Sequence, residues 1–345
     1  MVRRQQKEEK RWIKLQPVSF LKSFFSAIKY PFFVLIFSLL LLLPVKEKTI
    51  LFEIKKGDTL RDIAFNLKKE GFIKDRIGFI LFMKAFNKEK KIKPGYYFLK
   101  SSFSTFQIMK KITKGVSEKV KITIPEGLTI PEIAGILYYK GKIEPDKFLK
   151  LCNDPNFINS LGINELGKGL NSLEGYLYPT TYFFYYGEEP EAVIREMVLT
   201  LFKEIKEFQT GLIDSKFSIH QILTIASLVE KEAAKDFEKP LISSVIYNRL
   251  KKNMRLQICV TVQYALGKHK TRLTYEDLEI DSPYNTYKIA GLPPGPICNP
   301  GKSSIIAAIY PAKTDYLFFV SKGDGTHHFS KTLNEHIENK IKRRK

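Results

Sequence analysis

The sequence is poor in the residues that build metal centres and covalent frameworks: three cysteines, five histidines and one tryptophan in 345 residues. Cys152, Cys259 and Cys298 have no C-x-x-C spacing and no histidine pair beside them, so no metal site is expected. Their odd number excludes a complete disulfide framework. No Walker-type phosphate loop is present, so no nucleotide cofactor is expected. Homeodomain, zinc-finger and RNP signatures are missing too, which leaves nucleic acid unsupported as a partner. Acid is scarce against base: 36 Asp and Glu face 57 Lys and Arg, a formal charge of +21. Such a balance suits a polyanionic neighbour, whether nucleic acid, anionic lipid or an acidic wall polymer. Residues 1–49 hold ten Lys/Arg against three acids, and the lysines elsewhere are scattered. What is present is ordinary for a globular chain, with 44% hydrophobic and 27% charged residues, and the length suits two or three units.

Only one long apolar run exists, Phe24 to Val45, which rules out a multi-span transporter. As a helix it would be about 33 Å long, enough to cross a hydrocarbon core of ~30 Å. Its single charge, Lys29, lies near the start and can snorkel to the interface. Arg3, Arg4, Lys7, Lys10, Arg11, Lys14 and Lys22 precede it, so the positive-inside rule places residues 1–23 in the cytoplasm. The segment that follows, "PVKEKTI", lacks a small-residue cleavage pattern. The expectation is an uncleaved single-pass anchor in the cell membrane, with the remainder outside.

A repeat follows at an offset of seventy. "IKKGDTLRDIAFNLKKEGFI" (Ile54 to Ile73) and "IPEGLTIPEIAGILYYKGKI" (Ile124 to Ile143) share eight residues, among them Gly57/Gly127, Thr59/Thr129 and Gly71/Gly141. Each copy predicts a strand, a glycine turn, a helix opened by a capping box (Thr59 with Asp62, Thr129 with Glu132) and a glycine C-cap. The unit resembles the LysM-like module associated with glycan strands of the bacterial wall. Residues 46–118 would form one such subdomain, and 119–165 a second repeat or linking subdomain.

Further on, "TIASLVEKEA" (Thr224 to Ala233) sets two glutamates into an apolar helical pattern. At 100° per residue Glu230 continues the stripe of Leu223, Ala226 and Ala233, while Glu232 borders Ile225, Leu228 and Val229. Thr224, Ser227 and Lys231 form a polar wedge where a solvated glutamate would belong. A boundary glutamate reaching water is one reading; a carboxyl held for chemistry is the other. Periodicity does not choose between Glu230 and Glu232. "SLEGYLYPTTYFF" (Ser172 to Phe184) fits sugar stacking or an aromatic core strand. "GLPPGPICNPG" (Gly291 to Gly301) predicts a stiff surface loop, and "YLFFVSKGDGTHHFS" a hairpin followed by a helix.

The ordered motifs "LEGYLYPTTY", "IASLVEKEA", "VIYNRLKKNMRLQ", "TVQYALG", "SPYNTYKIAGLPPGPICNPG", "AAIYPAKTDYLFFV" and "GTHHFSKTLNEH" closely resemble the endolytic murein transglycosylases, the YceG-like family. The resemblance implies an α+β catalytic domain over 166–340, behind the membrane helix and the LysM-like units. It implies that Glu230 is the catalytic acid, with Glu232 and His327 in support. Glu174, Tyr176, Gln263, Tyr284 and Asn285 fall on motif positions expected to line the substrate groove. Two departures stand out: Cys259 and Val260 occupy positions where the family has an acid and a proline, and Thr180 replaces an acid.

The activity so implied is lytic cleavage of peptidoglycan between N-acetylmuramic acid and N-acetylglucosamine, leaving a 1,6-anhydro end, with no cofactor. One carboxyl suffices for it, whereas a hydrolase ordinarily needs two. Such an acid benefits from apolar surroundings that oppose ionisation. Glycan strands would be the partner, with peptidoglycan synthases and division proteins as further candidates. The alternatives are a non-catalytic LysM-type wall-binding protein, and a nucleic-acid or anionic-lipid binder.

Overall fold

The computed structural model describes residues 48–115, 118–162, 169–268, 270 and 272–344. The tail 1–23 and the apolar segment 24–45 lie outside the described residues. Among the described residues no helix is long and apolar enough to cross a membrane. The architecture is α+β, with three two-stranded sheets set among helices in the described residues. It divides into two compact units. One holds residues 48–52, 57–93 and 97–114; the other holds 53–56, 94–96 and 115 onward.

In the first unit, β1 (Thr49–Ile54) turns through Gly57, at φ +98°, into α1 (Leu60–Lys69). The predicted capping box closes this helix: the Thr59 N–H donates to Asp62 Oδ2 at 2.9 Å, and the Asp62 N–H returns to Thr59 Oγ1. Gly71 follows the helix at φ +81°. Then come α2 (Arg76–Ala85), capped by Asp75, β2 (Gly95–Lys100), which pairs with β1, and α3 (Thr105–Lys114). The apolar residues at helical spacing, Ile63, Ala64, Leu67, Ile108 and Ile112, close on Phe79, Met83, Tyr97 and Leu99 as a buried core.

The second copy of the repeat keeps the same local grammar. β3 (Lys119–Thr123) leads through Gly127, at φ +77°, into α4 (Ile130–Gly141), whose Glu132 takes the Thr129 N–H at 2.8 Å. One expectation is corrected here. Gly141 is the last helical residue, and the left-handed turn falls on Lys142, at φ +56°. Gly141 is needed for packing instead, because a Cβ there would stand 2.7 Å from Ile122 Cδ1.

α5 (Pro145–Cys152) and α6 (Pro155–Ser160) follow. β3 then finds its antiparallel partner in β4 (Thr181–Tyr185), with Lys119 opposite Tyr185 and Thr123 opposite Thr181. The chain continues through α7 (Pro190–Ile205), α8 (Gln209–Asp214), α9 (Ile219–Glu232), α10 (Lys239–Lys251), α11 (Cys259–Leu266), α12 (Tyr275–Leu278) and α13 (Lys302–Ile309). The expected hairpin is formed by β5 (Phe318–Ser321) and β6 (His327–Ser330), and α14 (Leu333–Arg344) closes the chain. Ile122, Ile133 and Phe148 share one core with Leu177, Met197, Leu223 and Val229.

At the centre lies α9. Ser218 and Gln221 form its capping box, and every residue from Ile222 to Val229 is buried. Thr224 and Ser227 of the polar wedge therefore do not face water, although Lys231 is exposed. Thr224 Oγ1 donates to the His220 carbonyl at 2.7 Å, and Ser227 Oγ donates to the Thr224 carbonyl while accepting the Ile297 N–H at 3.0 Å. A helix surrounded on all sides can carry hydroxyls only if they are bonded this way. The expected surface loop over 291–301 is corrected in its second part: Pro294 is exposed, but Gly295 through Gly301 are buried, with the Ile297 N–H bonded to Ser227 of α9.

Candidate active site

Glu230 occupies the last turn of α9, where the buried helix reaches the protein surface; its side chain is 11% exposed. Its Oε2 accepts the Gly301 N–H at 3.0 Å and the Ser304 hydroxyl at 2.6 Å. Gly301 is the N-cap of α13, so the carboxyl group sits at a helix N-terminus. Lys239 Nζ, buried at 5% exposure, lies 3.6 Å from the same oxygen, and is itself held by Asp236 at 2.9 Å and Ser303 at 2.7 Å. The carboxyl head is thus set among polar groups rather than the apolar ones that the stripe suggested. Oε1 makes no hydrogen bond among the described residues. One oxygen is pinned and the other is open to a ligand.

The turn between β3 and α4 covers Glu230. A Cβ on Gly127 would lie 3.5 Å from Glu230 Cγ, and Lys231 Nζ donates to the Gly127 carbonyl at 3.0 Å. Asn299 ties this turn to the site from behind. Its N–H donates to the Leu128 carbonyl and its carbonyl accepts the Gly127 N–H, both at 2.8 Å, while its side chain takes the Leu177 N–H at 2.8 Å. Two residues later comes Gly301, the donor to Glu230.

A second carboxylate was missed in the sequence. Glu126 is exposed, and its carboxyl group lies so close over Gly301 that a Cβ there would stand 1.9 Å from Glu126 Cδ. Partial burial, and then the charge of Glu230, raise its pKa above the ordinary carboxylate value. The signal was present in the repeat: the position before the turn glycine is Lys56 in the first copy and Glu126 in the second.

Of the other expected residues, Glu174 is linked through Asn299 to the turn over Glu230, and the rest make contacts of their own. Glu174 is buried; it accepts the Ile130 N–H at 3.2 Å and the Asn299 amide at 2.9 Å, and burial pushes its pKa up to about 7. Tyr176 is fully buried, its hydroxyl 2.9 Å from His220 Nδ1. His220 Nε2 faces the Pro294 carbonyl at 2.7 Å, so Nε2 carries the proton and Nδ1 accepts from the tyrosine. The tyrosines of "EGYLYPTTY", Tyr176, Tyr178 and Tyr182, are core residues. Tyr284 is half-buried, its ring 4.9 Å from that of Tyr264. Asn285 is fully buried and spends its amide on the Leu278 and Ile280 carbonyls. Gln263 donates to the Lys270 carbonyl at 2.9 Å. None of these touches Glu230 by a hydrogen bond.

Glu232 turns away from Glu230 and accepts the Val260 N–H, and burial pushes its pKa up to about 7. The departure at Val260 has a physical consequence here, since a proline would have no N–H to give. Cys259 lies beside it with Sγ 3.1 Å from the Tyr287 hydroxyl, and all three cysteines are unbridged. His327 bonds Glu238 twice, through its N–H at 2.9 Å and Nδ1 at 2.8 Å, which fixes the hairpin to the residue before Lys239. No cluster of metal-ligating side chains occurs among the described residues. A cavity of about 700 Å³ bounded by Arg255, Tyr275, Glu276, Glu279, Tyr287 and Lys288 has no Glu230 in its wall.

Residues 52–342 match the YceG-like family. The chain belongs to that family. The YceG-like chain is 38% identical over 319 residues to the endolytic murein transglycosylase of Bacillus subtilis (strain 168), covering 88% of both chains. It is 33% identical to that of Streptococcus pneumoniae (strain D39), with 86% of this chain and 59% of that one covered. A crystal structure of a putative YceG-like protein from Listeria monocytogenes, 42% identical, superposes with a TM-score of 0.60 over 85% of this chain and 99% of the other.

Proposed function

We propose that this chain is a membrane-anchored endolytic lytic transglycosylase of peptidoglycan, with Glu230 as its general acid and base. The observation that carries the reading is the asymmetric setting of Glu230, with Oε2 fixed by Gly301 and Ser304 and Oε1 open. The names of the Bacillus subtilis and Streptococcus pneumoniae relatives support it.

In this mechanism Glu230 gives a proton to the glycosidic oxygen as its bond to C1 of N-acetylmuramic acid breaks, and the N-acetylglucosamine end leaves as an alcohol. The C6 hydroxyl then closes on C1, and its proton passes to the Glu230 carboxylate. The 1,6-anhydro bond replaces the glycosidic bond, the proton count is restored, and no water is consumed. Pinning Oε2 fixes the carboxyl plane, so that the open oxygen meets both protons without rearrangement. Positive charge develops at C1 as the bond breaks. Glu126, the second carboxylate against Gly301, is placed to stabilise it.

Residues 24–45 form the anchor in this reading, with 1–23 cytoplasmic and the enzyme on the outer face. The two copies of the repeat are LysM-like and hold glycan. The test is to incubate the protein with purified peptidoglycan and weigh the new ends. Anhydro ends, one water lighter than hydrolysed ends, support the reading. Hydrolysed ends overturn the lytic step, and glycan binding without any new ends leaves a non-catalytic wall-binding protein.

A further inference from the structure

α2 breaks the rule that a surface helix is apolar on one side. Its sequence, RIGFILFMKA, holds two charged residues, Arg76 and Lys84. Phe79 and Met83 fill the core, yet Ile77 and Leu81, one turn apart on the opposite side, are 68% and 61% exposed. Phe86, just past the helix, is half-exposed, with its ring 4.7 Å from Phe82 and 6.4 Å from the half-exposed Phe106 of α3. Apolar side chains on the outward side of a helix are ordinarily covered, and exposed ones such as Ile77 and Leu81, with the Phe86–Phe106 pair at the helix end, mark a docking surface.

Three observations identify what covers it. First, the chain enters the unit at Lys48, which is paired with Ser101, five residues before Phe106 in sequence: the Ser101 N–H donates to the Lys48 carbonyl at 2.9 Å and the Lys48 N–H to Ser101 Oγ at 3.1 Å. Lys48 is three residues beyond Val45, the end of the apolar segment, a reach of about 10 Å when extended. Second, residues 48–115 carry 17 Lys and Arg against six Asp and Glu, and Lys84, Lys88 and Lys110 lie close in sequence to the patch residues. Third, Ile, Leu and Phe offer no hydrogen-bonding groups to sugar hydroxyls, but apolar side chains ringed by lysine suit the boundary between headgroups and acyl chains.

We infer that Ile77, Leu81, Phe86 and Phe106 dock this unit into the surface of an anionic lipid bilayer, the one in which residues 24–45 are anchored. The inference rests on the anchor reading. Its consequence is that the first unit lies against the membrane rather than swinging on its tether.

The chain has one tryptophan, Trp12, so a Trp12→Phe background gives a single reporter wherever a new tryptophan is placed. Full-length protein carrying Leu81→Trp is reconstituted into phosphatidylglycerol-containing vesicles, with acyl chains brominated near the headgroup end as the quencher. Tyr139→Trp, at a position 79% exposed in the other unit, is the reference. The expected result is blue-shifted Leu81→Trp emission, quenched at least severalfold more than the reference. Vesicle flotation of the protein with equal quenching at both positions overturns the docking alone. A blue shift without bromine quenching means that protein covers the face, and it also overturns the docking. Failure to float with the vesicles overturns the anchor and the docking together.

Discussion

The hydroxyl of Ser304 donates to Glu230 Oε2 at 2.6 Å, joining the first turn of α13 to the last turn of α9. Ser304 is buried, and with the Gly301 N–H it holds that oxygen still. Ser304→Ala should leave the fold intact, because one small hydroxyl is lost and the backbone donor remains. A hydrogen bond to a charged group is worth ~1.5–3 kcal/mol, and each 1.36 kcal/mol is tenfold in rate. The expected loss is therefore about 10- to 100-fold in kcat with KM little changed, read by steady-state assay on purified glycan strands. A change in KM alone would mean that Ser304 touches the substrate and does not position the acid.

Gly301→Ala tests the second carboxylate without altering it chemically. At φ −79° alanine is conformationally acceptable, but its methyl would fall where the Glu126 carboxyl lies. Glu126 is the exposed end of a flexible side chain, so it should be displaced while the fold remains intact. Gly301→Ala and Glu126→Ala should each lower kcat by about one to two orders of magnitude, within the range typical of a single catalytic group. Combined, they should cost little more than either alone, since the second change acts on a group already moved. Fully additive losses in the cycle would show that Gly301 serves Glu230 only.

What the sequence made legible was local. The strand, turn and capped helix of each repeat, the hairpin and the final helix depend on nearest neighbours and appear where expected, apart from the C-cap of the second copy, which falls on Lys142 and not on Gly141. What it hid was tertiary. Thr224 and Ser227 look like a solvent face until α9 is seen to be enclosed. The glycine- and proline-rich segment before Gly301 looks like a loop until its N–H groups are found bonded to Ser227, Leu128 and Glu230. The aromatic motif around Tyr176 fitted core and sugar equally well in composition, and packing chose the core. Glu126 lies 104 positions before Glu230, and no periodicity connects residues brought together by a turn and a helix terminus.

Stability should depend on pH through two carboxyls, Glu174, which is buried, and Glu232, which is partly buried. Burial pushes Glu174 and Glu232 up to about 7, against 4.5 for an unhindered glutamate. Between those values the native protein keeps protons that the unfolded chain has released. Their contribution is therefore fully present below about pH 4.5, is lost as pH rises towards about 7, and stays lost above it. Tm measured across that window should fall with rising pH. Glu232→Gln, whose side-chain oxygen can still accept the Val260 N–H, should flatten part of the slope. An unchanged slope would show that Glu232 reaches water in solution.

The two glutamates of α9 are separated most sharply by a paired substitution. Glu230→Gln keeps the shape and an oxygen that can accept from Gly301 or Ser304, but it can neither deliver a proton to the glycosidic oxygen nor collect the one from the C6 hydroxyl. Each of these transfers is worth typically ~10²–10⁴-fold, so the variant should be near background while still folding and binding glycan. Glu232 faces Val260, away from that chemistry, and Glu232→Gln should retain most of the wild-type rate. Anhydro-end formation by the two variants, with thermal unfolding run in parallel, reads both effects. If Glu230→Gln kept more than roughly a tenth of the wild-type rate, a margin well inside those factors, the acid would have to be sought at Glu126, the other carboxyl that meets Gly301.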